Sequence, residues 1–339
     1  MVRAMDDDRH HEHLITAILH RLGWDVSTGI LTGRLLAGGL SGSSIQYLDI
    51  AGQAMILKTT PSGADQQLIQ RACREALFYR DLATRVPVRV PRVLGLALDD
   101  VEGPALLLVA YSPSPEPSDW TERDYVQVAR QLGQLHAAFW NKTATAPLPD
   151  WLHVKSRVTV TQCRNAVALW GRLGQRDDLH QVLTPYQRIM KNLLTSIPGL
   201  DPQLSTMPLT LCHGDCHTGN FLQGPAGEWI WADWQEVRLG PGVDDLAFFW
   251  QRAFAAASAR PPFDAILQAY SAGLHAEGGV EVSREQLGRE LDWAELRSWA
   301  VDWPGYLSAL PKDRIGCVLR RIEMLIHRLA LSGHLSLDS

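Results

Sequence analysis

Two short apolar runs, Asn220-Phe221-Leu222 and Trp229-Ile230-Trp231-Ala232, enclose the turn sequence Gln223-Gly224-Pro225-Ala226-Gly227-Glu228. Strand-like residues on both flanks and glycine with proline between them predict a tight β-hairpin. Pairing Leu222 with Trp229 sets Asn220 opposite Trp231, two residues short of Asp233. At ~3.3 Å per strand residue, the Asn220 amide and the Asp233 carboxylate come within about 7 Å, close enough for one divalent cation to bridge. Asp215 precedes Asn220 in a loop leading into the first strand, free to face the same ion from the other side.

Asp215, Asn220 and Asp233 together meet the needs of phosphoryl transfer. One carboxylate takes the proton of an acceptor hydroxyl, while a carboxamide and a second carboxylate supply oxygen ligands to magnesium. The interval Asp215-x-x-x-x-Asn220 repeats that of the protein kinase catalytic loop, with Gly214 in place of the usual arginine. That difference points to a kinase acting on something other than protein.

A nucleotide-holding half is expected upstream. Ala37-Gly38-Gly39-Leu40-Ser41-Gly42-Ser43-Ser44 lies between the apolar run Ile30 to Leu36 and the strand-like Ile45 to Ile50. Such a turn lets backbone N–H groups approach phosphate oxygens, and its serines add hydroxyl donors, although similar turns also simply connect strands. Ala54, Ile56 and Lys58 fall on one face of the next strand at a period of two. A helix is predicted from Gln66 to Leu82, with Leu68, Ala72, Glu75, Tyr79 and Leu82 on one stripe. Glu75 is the single charge on that stripe, and an inward carboxylate needs a cation, for which Lys58 is the candidate. The competing arrangement is a surface pair between Glu75 and Arg71, one turn earlier.

These landmarks resemble the aminoglycoside phosphotransferase and choline kinase superfamily of small-molecule kinases. The resemblance is carried by Gly38 through Ser44, Lys58, Glu75 in Arg74-Glu75-Ala76-Leu77-Phe78-Tyr79-Arg80, Val90-Pro91-Arg92-Val93, Leu135-His136, His213 to Asn220, Asp233-Trp234 and Asp244-Asp245-Leu246-Ala247. It implies an α+β, protein-kinase-like bilobal fold. An antiparallel N-lobe sheet of about five strands would occupy residues 1–111, and a mostly helical C-lobe residues 112–339. It further implies that Gly38, Gly39, Ser41, Gly42, Ser43, Lys58 and Glu75 hold the phosphates of ATP, and that main-chain groups near Val109 and Tyr111 read the adenine. Asn220 and Asp233 would bind Mg2+, with Asp215 as the catalytic base. His213 is expected to brace the catalytic loop, and His136 to sit at the edge of the core.

The run Ala105 to Tyr111 reads as a buried strand and Ser112-Pro113-Ser114-Pro115-Glu116-Pro117-Ser118 as a stiff connector, the expected hinge. Tyr125, Val128, Leu132, Leu135 and Phe139 predict a core helix beyond it. Asp245 precedes the apolar run Leu246 to Trp250 and is expected to cap that helix. Trp234 and Glu236, next to Asp233, are the candidates for contact with the acceptor. Trp293, Trp299 and Trp303 read as packing residues.

Composition narrows the class. With 339 residues and 46 % hydrophobic content the chain can bury a sizeable core, and a net charge of −5 argues against a nucleic-acid binder. The five cysteines lack paired spacing, which favours reduced thiols, and Cys212, His213, Cys216 and His217 lack the second ligand cluster of a zinc site. No apolar run reaches membrane length, so a cytoplasmic protein without membrane partners is expected. The acceptor is expected to be a small molecule bearing a hydroxyl: an amino sugar, antibiotic, amine alcohol or sugar. A protein kinase is the nearer rival, but no Ala-Pro-Glu motif follows Asp233, and Asp233-Trp234-Gln235 replaces Asp-Phe-Gly. A catalytically silent nucleotide-binding scaffold is the more distant rival, disfavoured because every charged catalytic position is filled.

Overall fold

Alternation along Gln53–Thr59 buries Met55 and Leu57 and leaves Ala54, Ile56 and Lys58 half-buried, so one strand serves both a core and a polar face. In the computed structural model that strand, β3, lies at the centre of a five-stranded antiparallel sheet in the order β1–β2–β3–β5–β4. The other strands are β1 (Leu31–Leu35), β2 (Ser44–Ile50), β4 (Val93–Ala97) and β5 (Ala105–Val109). The structure describes residues 13–24, 31–36, 43–98, 101–141, 147–256 and 263–331. Of the glycine-rich turn only Ser43 and Ser44 belong to these; Gly38, Gly39, Ser41 and Gly42 lie outside the described residues.

Ala51 and Gly52 join β2 to β3 with φ of 53° and 82°, the left-handed pair that lets a two-residue turn follow the twist of its strands. Helix α1 (13–21) and the residue after it lay Ile15, Leu19 and Leu22 on Leu48, Ile50, Met55, Leu57, Ala105 and Leu107, forming the core of this sheet. Helix α2 (Gln66–Asp81) starts at Asp65, whose carboxylate accepts the Gln67 N–H, and ends at Leu82. It buries Glu75, Ala76, Phe78 and Tyr79.

The chain divides into two compact units, the first made of Met1–Ser114 with Gly219–Val237 and the second of Pro115–Thr218 with Arg238–Ser339. The predicted hairpin, β7 (Phe221–Gln223) and β8 (Trp229–Trp231), thus groups with the sheet. Its register differs from the sequence expectation by one residue: Leu222 faces Ile230 and Gln223 faces Trp229. The turn closes on itself, with Gly224 N–H bonded to the Glu228 carbonyl at 2.8 Å, and this shortens the loop. Ser112, expected in an isolated connector, exchanges backbone hydrogen bonds with Gln223 at 3.3 and 2.9 Å.

The second unit is mostly helical: α3 (Glu122–Ala138), α4 (Val160–Leu173), α5 (His180–Leu183), α6 (Gln187–Leu204), α7 (Gly242–Ala256), α8 (Phe263–Gly278), α9 (Arg284–Val301), α10 (Pro304–Leu307) and α11 (Lys312–Leu331). Strands β6 (Leu209–Cys212) and β9 (Arg238–Pro241) pair antiparallel beside them. Close contact of α3 with α8 depends on Gly133 and Gly273, where a Cβ would lie 2.2 Å from the Tyr270 carbonyl oxygen and 2.1 Å from that of Arg130. Trp170, Trp293, Trp299 and Trp303 lie in the large core of α4, α6, α9 and α11, as packing residues. No helix among the described residues is long and apolar enough to cross a membrane.

Candidate active site

Lys58 emerges from the polar face of β3, and α2 turns Glu75 toward it. The Lys58 Nζ lies 2.7 Å from Glu75 Oε1 and 3.0 Å from Oε2, and 3.2 Å from Asp233 Oδ1. The surface alternative for Glu75 is ruled out, because Arg71 Nε instead contacts Glu236 Oε1 at 2.7 Å. Burial opposes the charge on Lys58, but Glu75 and Asp233 more than offset it and hold the ammonium well above its ordinary range. Burial pushes the Glu75 carboxyl upward, and the Lys58 ammonium pulls against that rise. A carboxylate meeting one ammonium with both oxygens is the geometry of an ion pair, and we read both groups as charged.

Asp233 adopts the left-handed region at φ 64° and ψ 61°, a strained choice for a residue with a side chain. This turn between β8 and the short helix Trp234–Glu236 brings its carboxylate to Lys58, while Oδ2 lies 3.4 Å from Gln235 Nε2. Asn220 enters β7, and its carbonyl accepts the Ala232 N–H at 2.9 Å, one residue closer to Asp233 than the predicted register allowed. Asn220 and Asp233 are hard oxygen donors of the kind magnesium takes, and the Asp233 side chain is 29 % exposed, so this part of the hairpin fits that ion.

Trp234, the aromatic expected at the acceptor pocket, is fully buried. Its ring stacks on Phe78 with centroids 4.0 Å apart and planes 7° from parallel, and its indole N–H donates to the Trp231 carbonyl at 2.8 Å. It fills the seam between α2 and the hairpin rather than facing a ligand. Glu236, the acidic acceptor candidate, is engaged by Arg71 and by Arg74 at 3.5 Å. Ser43 shares its hydroxyl with Thr60 Oγ1 at 2.9 Å. Val109 gives its N–H to the Arg92 carbonyl at 2.9 Å, so that donor serves the sheet, and Tyr111 follows half-buried. Lys58, Glu75 and Asp233 line a recess with Ser43, Thr60 and Gln235.

In the second unit the loop that carries Asp215 is shaped by Asp245. Its Oδ2 accepts the His213 N–H at 2.6 Å and its Oδ1 the Gly214 N–H at 3.0 Å. The carboxylate therefore caps the loop and not the helix it belongs to, a correction to the sequence reading. Burial alone would raise the Asp245 pKa, but His136 and Arg238 hold it low, keeping the acceptor charged. His136 lies 3.5 Å from Asp245 through Nε2 and 2.8 Å from the Tyr270 hydroxyl through Nδ1. Gly214 takes φ 87°, and the next N–H, of Asp215, donates to His213 Nδ1 at 3.3 Å, the brace expected of that histidine. Asp215 Oδ2 lies 3.6 Å from His217 Nε2.

Cys212, His136 and Asp245 place possible ligand atoms within 4.8 Å of one another, but their chemistry suits hydrogen bonding better than zinc. Both Asp245 oxygens already accept N–H groups, and burial pushes the Cys212 thiol well above its ordinary pKa. No disulfide links any of the five cysteines.

The profile of the phosphotransferase enzyme family matches residues 32–280. No curated protein sequence matches the chain. Among solved structures, choline kinase from Cryptosporidium parvum Iowa II aligns at 11 % identity over 96 % of this chain and 98 % of its own, with a TM-score of 0.62. The GDP complex of wild-type aminoglycoside 2′-phosphotransferase-IIIa aligns at 13 % identity over 92 % and 97 %, with a TM-score of 0.53. A macrolide 2′-phosphotransferase from Brachybacterium faecium aligns at 17 % over 96 % and 98 %, with a TM-score of 0.51. At these identities the likeness is one of fold, and it is the α+β, protein-kinase-like fold. With the family profile covering the sheet, the hairpin and the loop around Asp215, the chain belongs to the phosphotransferase enzyme family and is a small-molecule kinase.

Proposed function

We propose that this kinase moves the γ-phosphoryl group of Mg-ATP to a hydroxyl of a small molecule. The observation that carries the reading is the Lys58 ammonium held between Glu75 and Asp233. A half-buried cation fixed by two acids is set to receive phosphate oxygens without reorganising, which is where most of the rate of phosphoryl transfer originates. The nucleotide complexes among the related folds support the use of a nucleotide, and the choice of ATP in the cytoplasm is ours.

In this reading residues 1–111 hold the nucleotide and residues 112–339 supply the base and the acceptor pocket, with the hairpin's metal ligands completing the nucleotide half. Gly38, Gly39, Ser41, Gly42 and Ser43 cradle the phosphates, and the backbone around Val109 and Tyr111 meets the adenine. Lys58, oriented by Glu75, binds phosphate oxygens. Asn220 and Asp233 would hold Mg2+, which when bound neutralises charge on the phosphates. Asp215, in a loop set by Asp245 and His213, orients the acceptor hydroxyl and receives its proton as the oxygen attacks.

The test is ADP release with Mg-ATP across hydroxylated amines, antibiotics and sugars. Magnesium-dependent turnover with a member of the panel is the expected result. Transfer to protein alone, or tight ATP binding with no turnover on any acceptor, overturns the reading.

A further inference from the structure

Helix α2 presents Arg71, Arg74, Glu75 and Phe78 at i, i+3, i+4 and i+7, one side of the helix. Each of the four meets the chain between Asp233 and Glu236 or its lysine. Arg71 Nε lies 2.7 Å from Glu236 Oε1, and Arg74 Nη1 lies 3.5 Å from Glu236 Oε2 and 2.8 Å from the Gln235 carbonyl oxygen. Phe78 stacks on Trp234, and Glu75 reaches Lys58. The helix that carries Glu75 is thus fastened to the turn that carries Asp233.

We infer that Glu236, acting through Arg71 and Arg74, is a positioning residue for the nucleotide site and not an acceptor-binding residue. The inference rests on the proposed role of Lys58, Glu75 and Asp233 in holding Mg-ATP. The Arg71 side chain is 45 % exposed, and pairs this open to water add little to stability. Their geometric effect is larger, because they fix where Glu75 stands relative to Asp233. A displacement of about 1 Å in a group that orients phosphate is enough to cost roughly 100-fold in rate.

The experiment compares Glu236→Gln, Arg71→Gln and the double variant with the parent, beside Asp233→Ala. Glu236→Gln keeps the side-chain shape and removes only the charge. The readouts are the Kd of Mg-ATP by calorimetry, ADP release with the best acceptor of the panel or with water, and the thermal midpoint. The expected result for Glu236→Gln is a loss in kcat/KM for Mg-ATP of roughly 10- to 100-fold with the acceptor KM unchanged. The double variant should lose no more than the worse single one, since Glu236→Gln already breaks the Arg71 contact. An unchanged Kd and kcat/KM for Mg-ATP in Glu236→Gln overturns the inference, as does a rise confined to the acceptor KM or a lowered thermal midpoint alone. If Asp233→Ala also keeps Mg-ATP affinity and turnover, the nucleotide reading itself falls; if Asp233→Ala is inactive while Glu236→Gln is normal, only the clamp does.

Discussion

Lys58 and Glu75 meet through both carboxylate oxygens, at 2.7 and 3.0 Å, with the glutamate side chain only 5 % exposed. A strand and a helix separated by the turn after Thr59 have to be built in a fixed relation for that contact to form. Glu75→Gln removes the charge and keeps the volume. We expect kcat/KM for Mg-ATP to fall by about 100-fold, with the acceptor KM little changed, in steady-state kinetics.

Asp215 and Asp233 should separate in their effects. Asp215→Ala is expected to keep Mg-ATP affinity within about threefold while turnover falls by ~1,000-fold or more, because it removes the proton acceptor alone. Asp233→Ala should lose both magnesium-dependent affinity and turnover. Calorimetry with and without magnesium, together with ADP release, checks both, and near-parental turnover in either variant contradicts the roles.

Trp234 has no exposed surface to offer a ligand, so its truncation should act on folding. Trp234→Ala strips Phe78 of its stacking partner and is expected to cost about 3–5 kcal/mol in urea unfolding. The acceptor KM of the folded fraction should stay at the parental value.

Arg297 is buried between Asp201, at 2.6 Å, and Asp244, which Lys155 also contacts at 2.9 Å. Burial would raise the Asp244 carboxyl, but Arg297 and Lys155 bring it down to about 2 from an ordinary 3.8. A depressed folded pKa contributes stability above the unfolded value that disappears as pH falls toward 2, here about 2 kcal/mol. Arg297→Met leaves buried Asp201 without its cation and Asp244 with Lys155 alone, and should cost roughly 3–5 kcal/mol at pH 7. Denaturant unfolding at pH 7 measures that loss, and an acid titration of Asp244→Asn should show a shallower decline between pH 4 and 2.

Asp292 behaves in the opposite sense. Burial lifts its carboxyl to about 6 despite Arg328 at 3.0 Å, with Glu295 adding to the rise and Arg321 opposing it, and Oδ1 has no hydrogen-bond partner among the described residues. The folded state then binds more protons than the unfolded one between 3.8 and 6, so stability declines as pH rises through that window. Asp292→Asn should flatten this decline and gain up to about 3 kcal/mol at pH 7, less the small contribution of the exposed Arg328 pair. Unfolding at pH 4.5 and 7 decides it: a gain clearly larger at pH 7 than at pH 4.5 is expected, and equal effects at both contradict it.

Much of the first unit could be read from local pattern. The period of two in β3 placed Lys58 opposite the core residues, and the helical stripe of α2 turned Glu75 inward, so their meeting followed from periodicity and the need of a buried carboxylate for a cation. The hairpin was legible in its glycines, but its register was not: a pairing shifted by one residue satisfies the same composition, and the Gly224–Glu228 hydrogen bond selects between them. The burial of Trp234 and the pairing of Glu236 with Arg71 and Arg74 were not legible for a related reason. Standing beside Asp233 in the chain says nothing about which way a side chain points once Asp233 itself takes a left-handed turn.

Asp245 makes the same point in the second unit. Its sequence position is that of a helix cap, yet its carboxylate serves two N–H groups of a loop more than thirty residues earlier, at His213 and Gly214. Residue order and periodicity determined the candidate site residues, their spacing, and which strand and helix carry Lys58 and Glu75, because those depend on backbone geometry that repeats over a few residues. Tertiary packing alone decided the hairpin register, the burial of Trp234, the fastening of Glu236 by Arg71 and Arg74, and the use of Asp245. Those outcomes depend on which distant groups leave a donor or acceptor to be satisfied, and sequence distance does not encode that.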